Sequence, residues 1–368
     1  MRVNPSQLVP GCVLLRDVLG KTNRPIIPKK TVLTKEHIKI LEKFLIETVD
    51  VSEKLQDGKL YKPNPEEKPK EKTKSTKKKD IQLDKLSFED HYLYVVATYQ
   101  KLFDTWRNNA PIDMVIVRNL IIPLINRMDD IGSAIYTLHN FTNKKDYFYH
   151  HSVSVSIIAA FIGKKMGYEK GEWLQIGIAG LLSDAGMAKL SPSLLQKEGS
   201  LNQTERAEVI KHPTYSYRLL EHLSSVTYAI KLAVLQHHER IDGSGYPLGL
   251  SKEKIHNYAR IIAVCDTYHA MTSERMYKEK QSPFRVIEEL QKEQYTKLDV
   301  IVVQTFIEAI SNFSVGTKVS LSNNQIGEIV FMEPNQPTRP MIRLDKSDEI
   351  ISLSNHHTLF IQEIISQT

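Results

Sequence analysis

Residues 237–250 read HHERIDGSGYPLGL. Two adjacent histidines close an apolar helical run, AIKLAVLQHHE, in which Ile230, Val234 and His237 share one stripe. Neighbouring side chains on a helix diverge by about 100°. His237 and His238 are therefore expected to address two neighbouring positions more readily than one, which suits a multinuclear metal site. The Asp-Gly-Ser-Gly turn that follows lets the backbone approach a ligand through Gly243 and Gly245, and Tyr246 offers a stacking face. Read alone, DGSGYP is simply a good loop.

Outward from this stretch, other helices carry polar residues on apolar faces. HSVSVSIIAAFIGKKM sets His151, Val155, Ile158 and Ile162 on one face, and NYARIIAVCDTYHAM puts Asp266 in line with Ala259, Ile262, Ala263 and Ala270. WLQIGIAGLL leads to Ser183 and Asp184, with Gly186 placed to stop the helix. Asn202 and Glu205 have capping-box spacing and open a helix that is expected to run on to His212. One such residue is ordinarily a satisfied core group. Several imidazoles and two carboxylates converging without a counter-charge would cost several kcal/mol per ionised carboxylate, and divalent cations remove that cost.

The chain of 368 residues exceeds the size of one ordinary core. Residues 1–55 alternate short strand-like runs with one helix that begins after Thr34, a small α+β module. Residues 56–84 are rich in Lys, Glu and Pro and read as a solvated linker. Residues 85–140 form a helical connector, 141–313 a helical domain, and 314–368 a small β unit built from TKVSLS, GEIVFME, MIRLD and EIISLS. The net charge of +6 rests largely on seven lysines between Lys68 and Lys79, without interleaved aromatics, so nucleic acid is an unlikely partner. Two distant cysteines, Cys12 and Cys265, exclude a thiolate zinc site and a disulfide framework. No run is long and apolar enough for a membrane span and the N-terminus lacks a signal-peptide core, so a cytoplasmic location is expected.

HHERIDGSGYPLGL followed by YARIIAVCDTYHAMTSERMYK resembles the HD-GYP family, a branch of the HD metal-dependent phosphohydrolases that hydrolyse cyclic di-GMP. The resemblance runs from about residue 149 to 302. It implies a mainly α protein whose all-helical HD domain is flanked by the two small modules. It implies metal ligands at His151, Asp184, His212, His237, His238 and Asp266, with Asp184 bridging two cations, iron or manganese in preference to zinc. It also places Arg275 and Lys278 at ligand phosphates, and Gly243, Gly245 and Tyr246 around the dinucleotide. The sequence departs from the family pattern at Ser183, where the dyad histidine is expected, and at Met187, where many members have lysine. Tyr147 replaces a glutamate often found four residues before the first histidine, which favours two metals over three.

The reading is a phosphodiesterase converting cyclic di-GMP, or a related cyclic dinucleotide, to the linear dinucleotide and GMP. Its alternative is a receptor that binds the dinucleotide without cutting it. Protein partners on the flanking modules and a homodimer are compatible with either.

Overall fold

The computed structural model describes residues 1–3, 5–19, 25–43, 46, 48–61, 83–275, 279–310, 315–333 and 336–366. Two compact units divide the chain, Met1–Ile81 and Gln82–Thr368.

In the first unit, β1 (Arg2–Val3) pairs antiparallel with β4 (Val49–Asp50), and β2 (Val18–Leu19) with β3 (Pro25–Ile27). Helix α1 (Lys35–Lys43) follows Thr34, whose hydroxyl accepts from His37 N at 3.3 Å. The CVLL run contributes isolated bridges, Val13 to Val32 and Leu14 to Val51, in place of a strand. Cys12, Leu14, Leu33, Leu41 and Val51 form its core. Tyr61 is buried in the same cluster, so ordered structure continues into the segment read as linker, whose residues 62–82 lie outside the described residues.

The second unit is helical up to residue 310. Its helices are α2 (Phe88–Arg107), α3 (Met114–Ile125), α4 (Tyr147–Lys165), α5 (Lys170–Leu182), α6 (Pro192–Leu195), α7 (Gln203–Val209), α8 (His212–Leu220), α9 (Tyr228–Gln236), α10 (Asn257–Thr272), α11 (Pro283–Glu293) and α12 (Val300–Ile310). Almost every side chain of α4 from His150 to Gly163 is buried, which explains its weak amphipathicity: neighbours cover it on all sides. A five-stranded antiparallel sheet follows, β5 (Lys318–Leu321), β6 (Ile326–Phe331), β7 (Met341–Leu344), β8 (Ile350–Ser352) and β9 (Ile361–Ser366), in the order β8-β7-β6-β5-β9. Val319, Ile329 and Ile342 join the same continuous core as the helices. No helix among the described residues is long and apolar enough to cross a membrane.

Two expected helix boundaries move. The capping box at Asn202 and Glu205 forms, but α7 ends at Val209 and His212 opens a separate helix. Pro213 is the reason: it lacks an N–H, and its ring would clash with the carbonyl four residues back. Likewise α5 ends at Leu182, before Gly186, which lies in the 3₁₀ turn Ala185–Lys189. Gly186 serves close packing instead. A Cβ there would sit 2.2 Å from the His212 carbonyl oxygen and 2.4 Å from Ser216 N.

Candidate metal centre

Four helices and one turn deliver the site. His151 comes from the first turns of α4, Asp184 from the turn after α5, His212 from the start of α8, the histidine pair from the end of α9, and Asp266 from the middle of α10. The absence of a side chain at Gly186 lets α8 close on the turn: Ser216 Oγ donates to the Ser183 carbonyl at 2.6 Å and accepts from Gly186 N at 2.7 Å. That clasp fixes Asp184 against His212.

Two groups of ligand atoms result, each within 4.8 Å of one another: Asp184 with His212, His237 and His238, and Asp184 with His151 and Asp266. Asp184 belongs to both. Its Oδ1 is 3.1 Å from His212 Nε2 and 3.7 Å from His237 Nε2, and its Oδ2 is 3.6 Å from His151 Nε2. His151 Nε2 lies 2.9 Å from Asp266 Oδ1, and His238 Nδ1 lies 3.7 Å from Asp266 Oδ2. Both members of the histidine pair join the four-residue group, contrary to the expectation of separate positions. The helix ends at Gln236, which frees the pair from helical divergence, and the two ring centroids are 4.1 Å apart.

The donor chemistry fits cations. His212 Nδ1 lies 2.8 Å from the Val209 carbonyl, and His237 Nδ1 2.8 Å from the Val234 carbonyl. A carbonyl only accepts, so each Nδ1 carries the ring proton and each neutral ring presents its lone pair at Nε2. These two Nε2 atoms face each other at 3.2 Å, beside a buried Asp184 Oδ1 that makes no hydrogen bond. Lone pairs and an anionic oxygen converging without protons repel unless a positive ion lies among them.

Burial works to raise the Asp184 carboxyl, but protons on the His212, His237 and His151 rings, standing where an ion would, outweigh it through hydrogen bonds and charge and hold it well below the usual range. Burial likewise opposes ionisation of Asp266, and the His238 and His151 rings bring it well below the ordinary value. Burial first, then the His237 ring, pushes the His238 imidazole well below its ordinary value, which keeps it neutral.

Ser183 is buried, and its hydroxyl donates to the Ala179 carbonyl at 2.7 Å, one turn back along α5. It belongs to neither group. His150 does not stand in for the lost imidazole, because its ring faces the Tyr92 hydroxyl at 3.1 Å. Met187 lines the cleft as an apolar wall.

His269 and Tyr147 face His151, a contact that their sequence positions left open. His269 is fully buried with Nδ1 3.0 Å from His151 Nδ1, and Tyr147 Oη is 3.2 Å from the same atom. When His151 Nε2 acts as a ligand its proton sits on Nδ1, and these are the acceptors in place to take it. The position i+3 from Asp266 was the available signal for His269.

Above the ligands opens a cleft of about 360 Å³ lined by Tyr147, Phe148, Arg240, Tyr246, Met271 and Arg275 among others. Arg275 lies over the Tyr147 ring at 5.6 Å. Arg240, beside the histidine pair in sequence, was missed. Tyr246 packs its ring 4.7 Å from that of His238. Gly243 and Gly245 shape the loop without lining the cleft: Gly243 has φ +81°, and a Cβ on Gly245 would lie 2.3 Å from Arg240 N. Glu239, buried, anchors the same loop by accepting from Leu248 N at 2.7 Å and Leu250 N at 2.9 Å. Lys278 lies outside the described residues.

Residues 140–302 match the family model described as an HD domain. Among curated proteins the chain is similar to cyclic di-GMP phosphodiesterase PA4108 of Pseudomonas aeruginosa, 31% identical over 58% of this chain and 51% of that one. It is similar to cyclic di-GMP phosphodiesterase PdeB of Borreliella burgdorferi, 29% identical over 60% of each chain. A further relative is 3'3'-cGAMP-specific phosphodiesterase 1 of Vibrio cholerae, 31% identical over 42% of this chain and 36% of that one. The chain spans about half the length of the curated relatives it matches.

Proposed function

We propose that this protein is a metal-dependent phosphodiesterase that opens cyclic di-GMP to the linear dinucleotide and carries that product on to GMP. One observation carries the reading: two groups of acceptor atoms share Asp184, as a dinuclear hydrolytic centre requires. The residues fit two divalent ions, His151, Asp184 and Asp266 holding one and Asp184, His212, His237 and His238 the other. The mixed imidazole and carboxylate set, without thiolate, suits iron or manganese better than zinc. When bound, the ions supply Lewis-acid chemistry, neutralising phosphate oxygens and acidifying water.

The rest is the work of side chains. Asp184, ionised, ties the two positions together. Arg275 and Arg240, both lining the cleft, supply fixed positive charge to a phosphodiester there. Tyr246 presents a ring for a base or sugar, and Phe148 and Met187 exclude water from the reacting side. Tyr147 and His269 hold the His151 ring in the productive tautomer.

Ser183 weakens one position without abolishing it. The group His151, Asp184 and Asp266 keeps three protein ligands, the number common in catalytic sites that retain an open place. The test is to load the purified protein with Mn²⁺ or Fe²⁺, measure metal content, and chromatograph the products from cyclic di-GMP. Linear dinucleotide is expected, and Ser183→His should raise both metal occupancy and rate, the latter about tenfold, or ~1.4 kcal/mol. Dinucleotide binding without any linear product from either protein would overturn the proposal in favour of a receptor.

A further inference from the structure

A second cavity, about 400 Å³, adjoins the metal cleft and shares Tyr147, Phe148 and Arg275 with it. Part of its far wall comes from outside the HD-domain match, Phe103 and Arg107 on the last turns of α2, and Leu195 of α6 joins them from within it. Both cavities fall in the roughly 300–1,000 Å³ range of small-molecule sites. Their common wall makes them adjacent compartments for one ligand.

The lining of this annex combines rings and cations. Phe103 and Tyr149 meet edge to face at 5.5 Å, and Tyr149 and Phe148 remain half-buried. Arg107 lies over the Phe103 ring at 5.3 Å and has a single 3.4 Å contact with Asp104, while its Nε is buried without a hydrogen bond among the described residues. Lys144 is paired with Glu274 at 2.8 Å. Lys145, exposed, forms no ion pair among the described residues. Positive charge thus exceeds negative, and the apolar part of the wall is aromatic. That pairing matches a nucleotide, which joins a π-face to an anionic phosphate. A peptide or lipid would not need both.

We infer that this annex, built by Phe103, Arg107, Lys145 and Tyr149, is the subsite for the half of the cyclic dinucleotide that is not being cut. The inference rests on the function proposed above. A cyclic dinucleotide has two bases and two phosphates in one ring, so placing one phosphodiester at the metal centre forces the other nucleotide into an adjoining space. The annex is that space, with Arg275 on the shared wall between the two phosphates.

The experiment compares wild type, Arg107→Ala and Lys145→Glu as full chains. Calorimetry reads cyclic di-GMP binding, and Mn²⁺-supported hydrolysis of bis(4-nitrophenyl) phosphate reads the metal cleft alone. Both variants should bind the dinucleotide about tenfold more weakly, while turnover of the small diester changes less than twofold. Unchanged dinucleotide affinity in both variants, equal losses on both ligands, or no dinucleotide binding by wild type would overturn the inference. Wild-type binding without hydrolysis, weakened by the variants, would leave the subsite standing and remove the enzymatic reading. Lys145 is exposed, so its substitution tests the annex even if Arg107→Ala compromises folding.

Discussion

Asp184 shows what a single position can reveal and what it conceals. Its place after an apolar helix, together with histidines on other helical faces, made a carboxylate in a cluster able to hold metal legible in the sequence. The sharing of its two oxygens between separate acceptor groups came only from the turn that Gly186 and Ser216 clasp together. Ser183 was legible as a missing imidazole. That its hydroxyl turns back to Ala179 is a local hydrogen-bond choice that no spacing encodes. His269 and Arg240 went unassigned because their role lies in what they face, not in their own periodicity. The shared carboxylate yields a sharp prediction. Asp184→Asn keeps the shape and removes the charge, so metal content should fall in both positions and hydrolysis should drop at least ~10³-fold, about 4 kcal/mol of transition-state stabilisation. Metal addition should raise the Tm of wild type through linkage, and that rise should vanish in the variant while the metal-free Tm stays within a few degrees. Undiminished metal stoichiometry in Asp184→Asn would show that the carboxylate is not a shared ligand.

Among the elements, the helices bearing the cluster were readable from their long apolar runs, even where, as in α4, burial on all sides blurs the stripe. What escaped reading was local and steric. Pro213 separates α7 from α8, and β9 was missed because Ile361, Ile364 and Ile365 do not alternate. The pairing of β9 with β5 shifts register twice, and those irregularities absorb the broken period. The loop after α9 is held by Glu239 more than by its glycines. Its carboxylate accepts two backbone N–H groups, and a glutamine offers only one oxygen, turning an amine toward the other donor. Glu239→Gln should therefore loosen the loop by about 1.5–3 kcal/mol, the worth of a hydrogen bond to a charged group. Hydrogen exchange at Leu248 and Leu250 should accelerate and KM should rise more than kcat falls, because Tyr246 leaves its position while the metal ligands do not. Exchange rates equal to wild type at those two amides would show that Glu239 does not hold the loop.

At the scale of the whole molecule, the C-terminal sheet shares one core with the helices, and its strand β9 meets them at a small cavity. His139, Phe284 and Glu363 line that cavity, with Lys280 beside them. A separate β unit was the natural reading of its turn-rich sequence, whereas continuity of the core depends on which faces meet, and strand patterning is silent on that. His139 is almost fully buried, and its Nδ1 is 2.8 Å from the Tyr136 carbonyl. Burial, with Lys280 adding to it, brings its pKa down from 6.5 to about 4, against the opposing pull of that carbonyl. The unfolded chain therefore takes up this proton first as pH falls. Stability from the neutral ring is fully present above pH 6.5 and is lost progressively as pH drops through 4, by up to about 3 kcal/mol. His139→Asn retains a donor near the Nδ1 position and cannot titrate. Its unfolding free energy, measured in urea, should fall less steeply between pH 7 and pH 4 than that of wild type, with a residual slope from His150 and His269, which burial also keeps below their ordinary values. Parallel profiles for the two proteins would mean that His139 takes up its proton as readily folded as unfolded, and the junction between helices and sheet would then be open to water at acid pH.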